Sequence, residues 1–234
     1  MTQSTSGRVS REKRGQIMLI GLDRASKRNA FDMPMLDDLC RAYGEFERDS
    51  DARVALVFAH GEHFTAGLDL ANVAAQFAAG WKIPDDGCDP WGVFGGPRVS
   101  KPVIVAAQGY CYTIGIELML ASDINLCASN TRFAQMEVQR GIFPFGGATL
   151  RMHQSAGWGN AMRWLLTGDE FDAHEAYRLG LIQQVVASEE LLPKAPAAAA
   201  ASLHPTVTRL MASEDAQEGV RAMLERRPGD FKGR

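Results

Sequence analysis

Two stretches of this chain have no place for a solvent-facing side. Val103 to Ala107 reads VIVAA, and Arg53 to Ala59 reads RVALVFA, apolar after its first residue. A strand with one wet face alternates apolar and polar residues, whereas an unbroken apolar run needs cover on both faces. Gln16 to Leu22 (QIMLIGL) and Asp123 to Ala128 (DINLCA) fit the same buried-strand pattern. Between these runs the apolar period changes. From Pro34 the residues Met35, Leu36, Leu39, Cys40, Tyr43 and Phe46 recur at helical spacing, with proline suited to a first helical turn. Further helices are expected from about Asp69 to Phe77 and from Ile114 to Ala121. Buried strands alternating with helices predict an α/β layer of parallel strands joined by crossover helices.

The second half reads differently. Arg132 to Glu137 is expected to be extended, and Gly141 to Gly147 to form a glycine-rich turn. Helices are expected at Ala148 to Ser155, Asn160 to Leu166 and Ala173 to Leu179, the last closed by Gly180. A strand at Leu181 to Val186 and a helical remainder with the alanine run Ala197 to Ala201 complete the chain. The expected organisation is a flexible leader over 1–15 (or the edge of the first strand), a core domain over 16–190 and a C-terminal helical segment over 191–234. Residues 80–102, rich in Gly, Pro and Asp, predict a long ordered loop or lid.

Charge and cysteine content exclude several classes. Among 234 residues, 25 are Lys or Arg and 28 are Asp or Glu, so no basic excess is available to bind nucleic acid in bulk. Cys40, Cys88, Cys111 and Cys127 include no C-x-x-C pair, which argues against a structural metal and for reduced, buried thiols in a cytoplasmic protein. No apolar run approaches the about 18 residues that span a bilayer, so no membrane partner is expected. His60-Gly-Glu-His63 lies in a loop rather than on a helix face, Gly92 to Pro97 lacks a phosphate-loop lysine, and no G-x-S-x-G occurs.

Three features carry chemistry. Glu117 falls in the first turn of a helix that follows a buried strand, and Glu137 lies among apolar neighbours. A carboxylate in apolar surroundings is raised toward neutrality, as acid–base work requires, although a lone Glu at a helix start also serves as a cap charge. The turns Ala66-Gly67-Leu68 and Thr113-Ile114-Gly115 each lead from strand to helix. Two helix entries aimed at one point would form an oxyanion hole, while either alone can be a packing device. Third, the loop Lys27-Arg28-Asn29-Ala30 is either a solvated basic loop or a seat for a phosphate-bearing tail.

Taken in order, these segments resemble the enoyl-CoA hydratase/isomerase family, the crotonase superfamily. Leu22 to Phe31 (LDRASKRNAF) looks like that family's adenine-side CoA loop. Gly61 to Leu70 (GEHFTAGLDL) is similar to its first oxyanion segment, and Val105 to Leu118 (VAAQGYCYTIGIEL) to its second. Asp123 to Ala128, Phe133 to Pro144, Leu166 to Asp169 and Ser213 to Val220 continue the match, which spans about residues 16–233. The resemblance implies a crotonase-like spiral of repeated ββα turns with a helical C-terminal part that mediates trimer contacts. It implies an acyl-CoA thioester substrate, no separate cofactor because CoA is part of the substrate, no metal, and a homotrimer or dimer of trimers. By position, the N–H groups of Leu68 and Ile114 would hold the thioester oxygen. Lys27, Arg28, Ala30, Ala66, Gly67, Asp69 and Leu70 would bind CoA, and Glu117 and Glu137 would act as catalytic carboxylates. Reversible hydration of a trans-2-enoyl-CoA is the leading implication. The alternatives are a double-bond isomerase or other thioester-enolate enzyme, in which only Glu137 matters, and an acyl-CoA-binding protein without activity.

The chain departs from the family in three places. Thr113-Ile114-Gly115 stands where hydratases carry a run of glycines, Met136 stands where they commonly carry proline, and the chain is shorter between Lys194 and Pro205. Trp81, Trp91, Phe94, Phe143 and Phe145 either shape an acyl pocket or simply pack the long loop.

Overall fold

The computed structural model describes residues 6–195, 213–230 and 232. The chain divides into two compact units, Met1–Ala195 and Pro196–Arg234. In the first, six strands form one sheet in the order β1-β2-β3-β4-β6-β9: β1 (Arg8–Arg14), β2 (Ile17–Asp23), β3 (Val54–Ala59), β4 (Val103–Ala107), β6 (Ile124–Ala128) and β9 (Gln184–Val186). From β2 onward every pairing is parallel, with Ile17 opposite Val54, Leu56 opposite Ile104 and Val105 opposite Asn125. The apolar runs are the inner strands, as two-sided burial demands: all five residues of β4 are buried.

Of the two readings of the N-terminal segment, flexible leader or edge strand, Arg8–Arg14 takes the second. It pairs antiparallel with β2 from Arg8–Asp23 to Arg14–Ile17. Its charged side chains suit an edge strand, where lysine and arginine discourage further pairing, and Arg11 is anchored to Asp38 of the following helix.

Helix α1 (Met33–Arg48) begins at Asp32, whose side chain accepts from the Met35 N–H at 3.0 Å, with proline in its first turn. Its buried stripe of Met35, Leu36, Leu39, Tyr43 and Phe46 lies at the spacing read from the sequence, and each such side chain contributes about 1.5–3 kcal/mol by leaving water. Helix α2 (Leu70–Ala78) follows β3, α3 (Ile114–Leu120) follows a short strand at Tyr110–Tyr112, and α4 (Ala148–Ala156), α5 (Trp158–Thr167) and α6 (Ala173–Arg178) occupy the later half.

A second, three-stranded sheet is anticipated by the sequence only in the extended stretch that begins at Arg132. It joins β5 (Tyr110–Tyr112), β7 (Arg132–Ala134) and β8 (Glu170–Asp172). Three-residue strands are too short to display a period of two. Residues 79–102 contain no helix or strand, yet they are packed rather than lid-like: Cys88 N–H donates to Cys40 C=O, and Trp91 is fully buried. All four cysteines are free and buried, and burial raises each thiol above its ordinary value.

In the second unit, α7 (Glu214–Leu224) is capped by Ser213, which accepts from Ala216 N–H at 3.1 Å. The alanine run Ala197 to Ala201 lies outside the described residues. Among those described, no helix is long and apolar enough to cross a membrane.

Candidate active site

The first turn is built by a buried threonine. Thr65 Oγ1 donates to Asn29 C=O at 2.7 Å and accepts from Gly67 N–H at 3.0 Å. The segment is stitched to β5 through Phe64 N–H to Gln108 C=O and Thr65 N–H to Tyr110 C=O. Gly67 then adopts φ +100°, a conformation that favours glycine. Its C=O accepts from Phe31 N–H, and the next N–H, that of Leu68, is left uncommitted among the described residues.

The second turn ends β5. Thr113 N–H donates to Ala134 C=O at 2.9 Å and Thr113 C=O accepts from Glu117 N–H at 3.1 Å, closing the first turn of α3. Ile114, the first helical residue, also keeps its N–H free of partners among the described residues, as helix geometry requires. Trp91 Nε1 donates to Ile114 C=O at 3.1 Å and so props this turn from behind.

Both turns open onto one cavity of about 210 Å³, lined by Ala66, Leu68, Leu70, Thr113 and Ile114 together with Met136, Arg140, Ile142 and Phe145. Glu117 and Glu137 share it. Glu117 projects from α3 and is only 2% exposed. Its Oε1 accepts from Ala148 N–H at 3.0 Å, where α4 begins. Burial pushes its carboxyl up to about 7, opposed by N–H groups of Ala148, Gly146 and Gly147 and by the charge of Arg151. Gly146 must lack a side chain, because a Cβ there would lie 2.5 Å from Glu117 Oε2.

Glu137 differs from the expected extended placement: it opens a single 3₁₀ turn, Glu137–Arg140, after β7. Burial pushes its carboxyl up to about 8, opposed by its own backbone N–H and reinforced by the nearby Glu117 charge. Met136, in place of the family's usual proline, still delivers this carboxylate into the cavity beside Glu117.

Gln135 was not singled out by the sequence. It is fully buried, and its amide satisfies its surroundings in one orientation: Nε2 donates to Thr113 C=O at 3.2 Å and to the Glu137 carboxylate at 3.1 and 3.2 Å. The glutamine therefore ties the second turn to the second carboxylate. Its only sequence signal is a polar residue between apolar neighbours on a short strand's exit.

Of the residues expected to bind CoA, Ala66 and Leu70 line the cavity, while Lys27, Arg28 and Ala30 sit in the neighbouring loop. Lys27 and Arg28 are exposed. Asp69 is engaged with the protein: Arg24 Nη1 lies 2.9 Å and Asn72 Nδ2 2.6 Å from its Oδ2. Arg24 is itself buried, reaching Asp32 at 3.3 Å and Ala30 C=O at 2.9 Å. A buried guanidinium needs such partners, and this one fastens the loop after β2 to the residues that follow Gly67. Among the aromatic residues, Phe145 borders the cavity, Trp91 is core, and Trp81 donates to Asp37. No cluster of three metal-ligating side chains occurs among the described residues.

A parallel sheet with helical crossovers, two turns with spare N–H groups and two buried carboxylates at one cavity define a distinct class. Residues 12–210 match the model of the Enoyl-CoA hydratase/isomerase family, and the chain belongs to that family. It is 32% identical over 262 residues to a carnitinyl-CoA dehydratase of Citrobacter koseri, covering 95% of this chain and 97% of that protein. A 2,3-dehydroadipyl-CoA hydratase of Escherichia coli is 30% identical over 255 residues, covering 97% and 98%. Among solved structures, a probable enoyl-CoA hydratase/isomerase from Mycobacterium abscessus superposes with a TM-score of 0.81 at 44% identity, covering 98% of this chain and all of that one.

Proposed function

We propose that this site catalyses the reversible addition of water to a 2-enoyl-CoA thioester. The observation that supports it is the pairing of Glu117 and Glu137 in one cavity with two uncommitted backbone N–H groups. The hydratase and dehydratase names of full-length relatives point the same way.

The N–H groups of Leu68 and Ile114 are the donors for the thioester oxygen. Charge develops there when the double bond is attacked, and donors fixed by the fold need no reorganisation. Glu117, with backbone donors favouring its anion, accepts a proton from water as the water oxygen bonds to the β-carbon. Glu137, with the higher tendency to stay protonated, delivers its proton to the α-carbon as the enolate collapses. The two carboxyls have then exchanged protonation states, and proton transfer between them restores the resting pair. No further cofactor is required, because the held thioester oxygen makes the α-position acidic. Lys27 and Arg28, with Ala30, Ala66, Gly67, Asp69 and Leu70, form the CoA side of the site in this reading. Assembly as a homotrimer or dimer of trimers follows the family resemblance, and sedimentation of the purified protein tests it; the four free, buried thiols support a cytoplasmic location.

The deciding experiment is loss of enoyl absorbance with crotonyl-CoA and longer enoyl-CoA substrates. Hydration with equal sensitivity to loss of Glu117 and Glu137 sustains the proposal. Double-bond migration that survives loss of Glu117 would assign an isomerase, and binding of acyl-CoA without turnover of any chain length would assign an inactive binder.

A further inference from the structure

Thr113 occupies a backbone conformation that L-residues avoid. Its φ of 50° and ψ of −113° suit glycine, yet the residue is β-branched. Such outliers persist only where their surroundings hold them, and they concentrate at functional sites. Here the hold is visible: the N–H is tied to Ala134, and the C=O to Glu117 N–H and the Gln135 amide.

The side chain lines the cavity that contains both carboxylates. Its Oγ1 packs against the opposite turn: a Cβ added to Gly67 would lie 2.4 Å from it. The hydroxyl therefore sits against the residue immediately before the Leu68 N–H, one position before the Ile114 N–H. Among the described residues no hydrogen bond commits this oxygen, and it is not sealed in the interior. Strained backbone, glycine opposite and an unused hydroxyl coincide at the point where two free N–H groups meet the cavity.

We propose that the Thr113 hydroxyl is a third hydrogen-bond donor to the thioester oxygen, working beside the Leu68 and Ile114 amides. The proposal rests on the CoA-thioester reading above. A hydroxyl turns freely about its C–O bond, so it can follow the oxygen as the carbonyl lengthens toward an enolate. The threonine also fills space that glycine would leave to water, which strengthens the other two donors.

The test uses the full-length protein with butyryl-CoA carrying carbon-13 at the carbonyl, a saturated thioester with no double bond to hydrate. Bound to wild type, the carbonyl resonance should move downfield as the oxygen is polarised. In Thr113→Val the move should shrink and kcat/KM for crotonyl-CoA should fall about tenfold, as loss of one neutral donor implies. Thr113→Ser should restore both. Thr113→Gly should melt at a higher temperature, its backbone strain relieved, while showing the same catalytic loss as valine. If valine does not fold, Thr113→Ala carries the comparison. Unchanged resonance and turnover in the valine or alanine variant overturn the hydroxyl's role. Reduced turnover with an unchanged resonance also overturns it, assigning Thr113 to packing. A wild type that binds no butyryl-CoA removes the thioester reading itself, and the donor with it.

Discussion

Glu117 and Glu137 face one cavity but are held in unlike ways. Glu117 stands on a regular helix and meets a row of backbone N–H groups at the start of α4, from Gly146 to Ala148. Glu137 stands on a single 3₁₀ turn, and the side-chain donor at its carboxylate is the Gln135 amide. Burial raises both, to about 7 and about 8. The lesson is that desolvation makes a carboxylate fit for proton transfer, while the number of fixed donors decides which of two buried carboxylates more readily gives up its proton. Because the groups interact, a titration reports values belonging to the pair.

The sharpest way to break the comparison is to neutralise each acid in turn. Glu137→Gln and Glu117→Gln should each lower kcat for enoyl-CoA hydration by about 10²–10⁴. A mild effect at Glu117 alone would leave the two residues unequal in kind rather than in degree. Next in size is Gly146→Ala. The new Cβ would crowd Glu117 Oε2 at 2.5 Å. A displacement of the carboxylate should lower kcat by about tenfold to a hundredfold in a steady-state assay.

A pH profile sharpens the contrast. With Glu117 ionised and Glu137 protonated in the working form, kcat/KM should be bell-shaped, with its optimum between about 7 and 8. Gln135→Leu removes a donor to the Glu137 anion, so the alkaline limb should move upward by about one unit. A limb that stays in place would show that Gln135 does not act on this carboxyl.

The smallest effect concerns stability. Both carboxyls sit above the ordinary value of 4.5 in the folded protein. Below that value both states are protonated and nothing is lost. As pH rises through the window up to about 7–8, the unfolded chain releases protons that the native site retains, so stability falls with pH. Glu117→Gln or Glu137→Gln should therefore melt above wild type at pH 8 and close to it at pH 4.5, by thermal denaturation. Each kcal/mol corresponds to about 2–4 °C in a domain of this size.

Much of the scaffold was legible in the residues. The apolar runs at β2, β3, β4 and β6 needed cover on two faces, and α1 declared itself through Pro34 and a stripe of large side chains. The short strands β5 and β8 were not legible, and β7 only as part of a longer extended stretch, because three residues carry no period and their partners are distant in sequence. Arg8–Arg14 was ambiguous for a related reason: an edge strand rich in charge has the composition of a leader, and only its pairing with β2 distinguishes them. At the site, Glu117, Glu137 and both turns stood out through residue type and ordered motifs. Gln135, Gly146 and Arg24 did not, because their importance lies in partners that the chain brings near from elsewhere.

The amino-acid order alone determined which runs must be buried and where helices start. It also determined that two glutamates and two glycine-bearing turns exist at the family's spacing, since local propensity and periodicity act over neighbouring residues. Only the tertiary structure decided that both carboxylates share one cavity, that Asp69 is taken by Arg24, and that Thr113 is pressed into a glycine's conformation against Gly67. Those outcomes depend on desolvation and on contacts between segments far apart in the chain, which exist only once the sheet has brought the turns together.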